Sequence, residues 1–386
     1  MAEPVNRSTS QSSLVRTQAG APQQGASSQK PLSKEQVHKP EPVNKITGGI
    51  FIVAMEKKEE PQRSSAHEVD DDSPKDEFQE LLQTLEQVSC DGLPLLKYYG
   101  CWVPIVTFRM ILAAQKHFKA KDTDIILSTM PKSGTTWLKA LTFSIANRHR
   151  FTIDQSPLLT SSPHTLVPFL DLNVYWDQEN PDLENIPRPR IFSTHMHFKM
   201  LPHSIHETDC RTIYLCRNPL DQFVSYIHFS SQNEFGKGRD LVAIDEAFDM
   251  YCRGMSSYGP FWDDILGYWN AHLENPGKVL FLKYEDLKED ITSQVKKIAE
   301  FIGFPFSLEE EEQGLIDQIS GLCSFESLRN LAVNKTGDIN GVVKHASFFR
   351  KGQVGDWTNY LTPAMAERMK QLMDSKFEGS GLMFKT

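Results

Sequence analysis

The 386-residue chain lacks the sequence features that mark several large classes of protein. No run of 18 or more apolar residues occurs, and the early apolar patch from Gly48 to Met55 is too short to span a bilayer, so the sequence predicts no membrane-spanning segment. The six cysteines form no C-x-x-C pair and no zinc-like spacing, which predicts reduced, mostly buried thiols in a cytoplasmic protein. A formal net charge of -9 argues against a general nucleic-acid binder, since such proteins usually carry a large basic surface.

The first 76 residues differ in composition from the rest of the chain. They are rich in Ser, Gln, Pro and charged residues and show no sustained apolar period, so residues 1–76 are predicted to be a disordered N-terminal extension. A targeting peptide over Met1 to Ala54 is an alternative, although arginine is sparse there. Met55 is a second plausible start, and we hypothesise that residues 1–54 are absent from the working protein. Recovery of Met1-derived peptides from the native source would exclude this hypothesis.

Residues 77–386 are predicted to form a single α/β domain. The content of 39% hydrophobic residues is sufficient for a sizeable core. Four short apolar runs are typical of buried strands, and helical patterns lie between them: Ile125 to Thr129, Arg190 to Thr194, Thr212 to Cys216 and Val279 to Lys283. This alternation predicts a central parallel sheet flanked by helices on both faces.

The loop after the first predicted strand has the composition of an anion-binding site. Small residues open into a helical run, so backbone N–H groups and a helix N-terminus would face an anion, with Lys132 adding a positive charge. The loop residues concerned are Lys132, Ser133, Gly134, Thr135, Thr136 and Trp137. They do not follow the G-x-x-x-x-G-K-[ST] order of nucleotide triphosphatases.

The sequence P-K-S-G-T-T-W from Pro131 to Trp137 resembles the 5'-phosphosulfate loop of the soluble sulfotransferases. The resemblance extends from about Leu93 to the C-terminus, and K-Y-Y-G-C-W-V-P at Lys97 to Pro104 is most similar to the plant-type members. It implies a P-loop-like phosphosulfate-binding loop, in which Lys132 also takes part in catalysis. It further implies 3'-phosphoadenosine 5'-phosphosulfate (PAPS) as co-substrate.

His195 follows the second predicted strand in a T-H pair that resembles the catalytic step of the same family. A histidine can accept a hydroxyl proton at neutral pH, so the resemblance implies that His195 is the general base. Ser193 stands where animal members often carry a lysine. A packed core histidine is one alternative. A metal site with His197, His203 and His206 is another, although no carboxylate or cysteine completes a ligand set.

The remaining strand ends and the C-terminal region supply further implied donor-binding residues. The R-N-P-x-D-x-x-x-S segment implies that Arg217 and Ser225 hold the 3'-phosphate, and Y-E-D-L places Tyr284 at the adenine. Phe325 and Trp137 would stack on the adenine. The segments C-S-F and R-K-G-x-x-G-D-W resemble the family's nucleotide lid and contribute Cys323, Ser324, Phe325, Arg350, Lys351 and Gly352. Isolated arginines or tyrosines of these kinds are also common as surface or core residues.

The acceptor is predicted only as a hydroxylated small molecule such as a flavonoid, steroid, phenol or hydroxy acid. An aromatic lining from Tyr98, Trp102, Phe169, Trp176, His228 and the segment Ser256 to Trp262 would suit a flat or fused-ring alcohol. We expect no metal, no nucleic acid and no membrane partner. Homodimer formation stays open, because Thr358, Thr362, Pro363 and Glu367 depart from the family's K-x-x-x-T-V-x-x-x-E pairing stretch.

Two other functions remain possible at this point. A metal-dependent small-molecule kinase could use the same loop topology, but it would need Mg²⁺ and the triphosphatase order of residues. A non-catalytic protein that binds adenosine bisphosphate would keep Lys132, Arg217 and Gly352 but would not need a base such as His195. Sulfuryl transfer from PAPS accommodates all of these residues.

Overall fold

The computed structural model describes residues 77–90, 92–232, 243–339 and 343–384. The predicted N-terminal extension lies outside the described residues, and so does the proposed second start at Met55. The described part opens with helix α1 (Glu77–Thr84), followed by an antiparallel sheet of β1 (Gln87–Cys90), β2 (Leu93–Tyr98) and β3 (Cys101–Pro104). The sequence analysis did not predict this sheet.

The central sheet has four parallel strands. They are β4 (Ile125–Thr129), β5 (Ile191–Thr194), β6 (Arg211–Cys216) and β7 (Val279–Lys283), in the spatial order β5-β4-β6-β7. The predicted runs are confirmed, with first residues that differ by one position in β5 and β6. Arg190, predicted as strand, instead directs its guanidinium to the buried carboxylate of Asp124 at 2.8 Å.

Alternate residues of each strand pack into two different hydrophobic clusters. Ile126 and Tyr214 belong to one cluster, whereas Leu127 and Ile213 belong to the other. Because successive strand residues point to opposite faces, the sheet is buried on both sides. The predicted α/β architecture is therefore confirmed.

Fourteen further α-helices follow α1 in the described residues, and among them they cover both faces of the sheet. They are α2 (Ile105–His117), α3 (Thr135–Asn147), α4 (Pro163–Leu166), α5 (His203–Glu207), α6 (Pro219–Gln232), α7 (Ile244–Cys252), α8 (Phe261–Glu274), α9 (Tyr284–Glu289), α10 (Ile291–Phe301), α11 (Leu308–Glu312), α12 (Leu315–Leu322), α13 (Phe325–Asn330), α14 (Ala332–Thr336) and α15 (Pro363–Phe377). A short pair, β8 (Asp338–Ile339) and β9 (Val343–Lys344), lies between α14 and α15. Within the described ranges, every helix is too short or too polar to cross a membrane.

The strand order places the loop after β4 at the centre of the site. The chain leaves β4 to form β5 on one side and then β6 on the other. Ligands of open parallel sheets bind outside the carboxyl ends of the strands, where the order switches direction. The fold therefore positions the loop from Pro131 to Gly134 and the start of α3 to face a ligand.

Candidate functional site

A single cavity lies where the predicted site residues converge. Its empty volume is about 960 Å³, including space open to solvent, which lies within the range of small-molecule sites. The predicted residues that line it are Lys132, Gly134, Thr135, Thr136, Trp137, His195, Arg217, Ser225, Tyr284, Cys323, Phe325, Arg350, Lys351 and Gly352. Two predicted residues do not line it. Ser133 belongs to the loop but is buried, and the Ser324 hydroxyl caps α13 by accepting a hydrogen bond from the Ser327 amide at 3.2 Å.

The turn from β4 into α3 depends on an unusual backbone conformation. Gly134 precedes the first residue of α3 with φ of 111°, and a Cβ there would lie 2.8 Å from a ring carbon of Tyr284. Lys132 also has a positive φ, of 70°. Only glycine fits the Gly134 position, because any side chain would meet both backbone strain and a collision. The turn places the first residues of α3, Thr135 to Trp137, in the lining of the cavity, and the first N–H groups of a helix have no partner within the helix.

The Lys132 amine lies inside the cavity in an environment that disfavours its charge. Its Nζ is 4.1 Å from the ring centroid of Phe229 and donates a long 3.4 Å hydrogen bond to the Ser347 carbonyl. Burial, followed by the positive charges of Arg217 and Arg350, lowers the pKa of Lys132 to about 7. An anion placed beside this amine would restore its charge.

Arg217 contacts the segment of residues 350–357, which we call the lid, and is held there by contacts on several sides. Its guanidinium stacks on Tyr284 at 4.6 Å, and Nη2 donates to the Gln353 carbonyl at 2.7 Å. The Asp221 carboxylate lies 3.7 Å from Nη2 and accepts hydrogen bonds from the amides of Gly355 and Trp357 at 2.7 and 3.1 Å. Asp221 therefore ties the lid segment to the arginine.

The two lid cations are oriented by a second carboxylate. Asp356 accepts hydrogen bonds from Arg350 at 2.5 Å and from Lys351 at 2.7 Å. Burial raises its pKa, but the bonds from Lys351 and Arg350 outweigh this effect and hold the pKa of Asp356 at about 2. Gly352 follows with φ of 64°, and a Cβ there would come within 2.5 Å of Phe325. The lid thus packs closely on an aromatic ring.

The cavity is strongly cationic and has unused hydrogen-bond donors. Five basic side chains line it, and the described lining includes no carboxylate: Lys132, Arg217, Lys288, Arg350 and Lys351. Within the described residues, the buried Nε1 of Trp137 and the Nε atoms of Arg217 and Arg350 have no hydrogen-bond partner. Buried donors are rarely left unpaired, so this arrangement fits a ligand with several anionic oxygens. The rings of Trp137, Tyr284 and Phe325 provide a surface for a flat base.

His195 is held in the tautomer that a base requires. Its Nδ1 lies 2.7 Å from the Thr129 carbonyl, which can only accept, so Nδ1 carries the proton and Nε2 carries the lone pair. The Asp171 carboxylate accepts a hydrogen bond from the His195 amide at 3.1 Å. Burial lowers the pKa of His195 despite the opposing charge of Asp171, so the imidazole is neutral at neutral pH.

The second histidine of the strand end has a different surrounding. His197 directs Nε2 to the Tyr258 carbonyl at 2.8 Å and is buried beside Asp264. In the parts of the chain that the structure describes, no three His, Cys, Asp or Glu residues are grouped closely enough to bind a metal ion. The two histidines thus serve separate local contacts.

Several residues of the cavity were missed by the sequence analysis. They are His164, Phe229, Lys288, Leu328, Phe348 and Phe349. His164 comes from α4, a single helical turn with no motif that would mark it. Of the predicted acceptor residues, Phe169 lines the cavity, whereas Tyr98 lies outside its lining and donates a hydrogen bond to Gln115 at 3.0 Å. The other predicted acceptor residues also lie outside this lining, and their contact with the acceptor stays a prediction: Trp102, Trp176, His228 and the segment Ser256 to Trp262.

Comparison with known proteins identifies the family. The sequence model of the sulfotransferase domain matches residues 122–381, more than half of the chain. The chain is 45% identical to cytosolic sulfotransferase 15 of Arabidopsis thaliana over 314 residues, which are 80% of this chain and 87% of the relative. A solved Arabidopsis thaliana sulphotransferase superposes with a TM-score of 0.64 at 38% identity, covering 84% of this chain and 100% of that structure. A mouse sulfotransferase in complex with PAP superposes with a TM-score of 0.59 at 27% identity, over 74% of this chain and 95% of that one. The chain therefore belongs to the sulfotransferase family, and it is a PAPS-dependent sulfotransferase that is most similar to the plant-type members.

Proposed function

We propose that this protein transfers the sulfuryl group of PAPS to a hydroxyl of a small organic acceptor, with His195 as general base. The observation that carries the proposal is one cavity whose described lining has five basic side chains and no carboxylate, beside a histidine whose Nε2 carries a lone pair that can accept a proton. A bisphosphorylated nucleotide supplies the negative charge that this lining lacks. The PAP complex of the mouse relative supports the choice of nucleotide.

The donor would be held at both of its charged ends. Lys132 and the amides of the loop and first turn of α3 would bind the 5' end, because helix N-termini and positive charge favour anions. Arg217, Ser225 and the lid residues Arg350 to Gly352 would bind the 3'-phosphate. The adenine would contact Trp137, Phe325 and Tyr284, with the buried Cys323 behind it.

The reaction would proceed as an in-line displacement. His195 Nε2 removes the acceptor hydroxyl proton while the oxygen forms a bond to sulfur. The bond between sulfur and the bridging 5'-phosphate oxygen breaks, and adenosine 3',5'-bisphosphate leaves with the electron pair. Lys132 and the loop amides stabilise the charge that develops on that oxygen. The Thr129 carbonyl and Asp171 then face a positively charged imidazolium, which both stabilise.

The acceptor side is proposed more broadly. Phe169 lines the cavity with its ring centroid 4.8 Å from that of His195, which fits an aromatic or fused-ring alcohol beside the base. We propose that the acceptor is a flavonoid, steroid, phenol or hydroxy acid, that no metal takes part, and that the protein acts in the cytosol, as the names of its relatives indicate.

Labelled sulfate transfer tests this function. Purified protein is incubated with labelled PAPS and a panel of flavonoids, steroids, phenols and hydroxy acids, with and without a chelator. We expect transfer to at least one hydroxylated class, unchanged by chelation. Transfer of phosphate from ATP in the presence of Mg²⁺ would instead establish the kinase alternative, and binding of adenosine 3',5'-bisphosphate without any transfer would establish a non-catalytic binder.

A further inference from the structure

A lysine without access to solvent lies directly behind the nucleotide loop. Lys139 belongs to α3, one turn after the loop, and its side chain is completely buried. Its Nζ lies 2.8 Å from the Val167 carbonyl, 3.2 Å from His164 Nδ1 and 3.3 Å from the ring centroid of Phe169. Burying an amine costs free energy that an apolar side chain at this position would not incur.

The amine fixes the proton arrangement of the neighbouring imidazole. Burial lowers the pKa of Lys139 well below its ordinary value, but the amine has at least two hydrogens in either protonation state. The Val167 carbonyl can only accept, so it takes one hydrogen, and the proposed arrangement directs a second at His164 Nδ1, which lies 3.2 Å from Nζ. Nδ1 is then the acceptor nitrogen of a neutral imidazole, and Nε2 carries the proton.

The imidazole in turn contacts a residue of the anion-binding turn. His164 Nε2 lies 2.9 Å from the Thr136 hydroxyl oxygen. Burial, followed by the positive charge of Lys139, lowers the pKa of His164 well below its ordinary value, so the ring is neutral. An Nε2–H that donates to the Thr136 oxygen occupies an acceptor site of the hydroxyl and leaves the hydroxyl proton available. Thr136 and His164 both line the nucleotide cavity.

We propose that Lys139 and His164 are positioning residues that set the Thr136 hydroxyl as a hydrogen-bond donor to the 5' end of the bound nucleotide. The proposal rests on the proposed function, which places the 5' end of PAPS at this turn. A threonine hydroxyl can donate or accept, whereas an oxygen of a phosphate or sulfate only accepts, so fixing the donor direction before binding removes an unfavourable orientation. The alternative is that Lys139 merely ties the chain around Val167 to α3.

Calorimetry with two nucleotides separates these roles. Adenosine 3',5'-bisphosphate reaches Thr136 with its 5'-phosphate, whereas adenosine 3'-monophosphate lacks that group. The substitution His164→Phe removes both nitrogens and keeps an aromatic ring against Phe348. We expect it to weaken binding of the bisphosphate about tenfold, the effect of one hydrogen bond to a charged group, and to leave the monophosphate within about twofold. Lys139→Met should produce the same selective loss.

Two further variants make the test specific. His164→Gln places an amide N–H near Thr136 and should recover most of the lost affinity. In a Thr136→Val background, His164→Phe should have no further effect, because the hydroxyl that it orients is gone. Equal losses for both nucleotides, a loss that persists with Thr136→Val, or unchanged affinities would each overturn the positioning role. Failure of the unmodified protein to bind the bisphosphate would overturn the proposed function itself.

Discussion

Nucleotide binding should make Lys132 take up a proton near neutral pH. The pKa of its amine is about 7 in the free protein, so about half of the molecules carry the charge at pH 7. A phosphate beside the amine favours the charged form and raises this pKa again. Proton uptake by Lys132 should therefore be about one half at pH 7, approach one near pH 9 and fall towards zero near pH 5.5.

The same linkage sets the sign of the pH dependence of affinity. The nucleotide complex has the higher pKa, so the contribution of Lys132 to binding is complete below pH 7 and falls as the pH rises through the pKa of the free protein. The loss should reach at most about tenfold per pH unit, which corresponds to one proton. Calorimetry of adenosine 3',5'-bisphosphate binding, in pairs of buffers with different ionisation enthalpies, measures the uptake directly.

A matched variant isolates the lysine from other titrating groups. The phosphates titrate near pH 6, and the imidazoles of the site also change their environment on binding. Lys132→Arg keeps a positive charge that does not titrate in this range, while the phosphates and imidazoles remain. The difference in proton uptake between the unmodified protein and this variant therefore measures the uptake by Lys132. Identical uptake by both proteins between pH 6 and 9 would refute the reasoning, as would an affinity that rises with pH in the unmodified protein alone.

Further substitutions test the site and the fold. His195→Ala should reduce turnover at least about 100-fold, while the dissociation constant of adenosine 3',5'-bisphosphate stays nearly unchanged. Arg217→Ala should weaken binding of that nucleotide by about 10- to 100-fold, because charge-assisted hydrogen bonds are lost. Equal losses of turnover and of nucleotide affinity in both variants would contradict the assigned roles. Gly134→Ala should destabilise the fold by about 1–3 kcal/mol in urea unfolding, and a neutral result would contradict the collision described above. Arg190→Met should destabilise the fold by about 3–5 kcal/mol by removing the cation that pairs with the buried Asp124 carboxylate, and Asp124→Leu in addition should recover part of the loss.

The central sheet could be predicted because it depends on local sequence, whereas most of the cavity lining was predicted from motifs that resemble those of the sulfotransferases. Buried parallel strands are continuous apolar runs, and Ile125–Thr129 is followed directly by small residues and a helical period. The carboxyl ends of parallel strands lie at the same edge of a sheet, so the segments that follow different strands lie close together there. Arg217 and Tyr284, 67 positions apart, stack at 4.6 Å for this reason.

Other features depend on contacts that no sequence period marks. In the β1–β3 sheet, the turn between β2 and β3 passes through Tyr99 and Gly100 with φ of 51° and 75°. No periodic pattern in the sequence marks this turn. Lys139 looks like a solvated helix residue, and only the fold brings the Val167 carbonyl and the His164 ring to its amine. The side chains that orient the site are therefore harder to predict than those that bind the ligand.

The carboxylates Asp221 and Asp356 explain how an acidic chain maintains a cationic cavity. Neither lines the cavity, yet Asp221 lies 3.7 Å from Arg217 and accepts two lid amides, while Asp356 bonds Arg350 and Lys351. They offset the mutual repulsion of the cations from behind and leave the Nε atoms of Arg217 and Arg350 unpartnered within the described residues. Burial, followed by the charges of Arg217 and Arg350, lowers the pKa of Lys132 to about 7, so this amine is only partly charged at neutral pH. In the proposed mode of donor binding, the residues for the 3'-phosphate are thus pre-organised and charged before binding, whereas those for the 5' end acquire their full charge only when the group that they stabilise arrives.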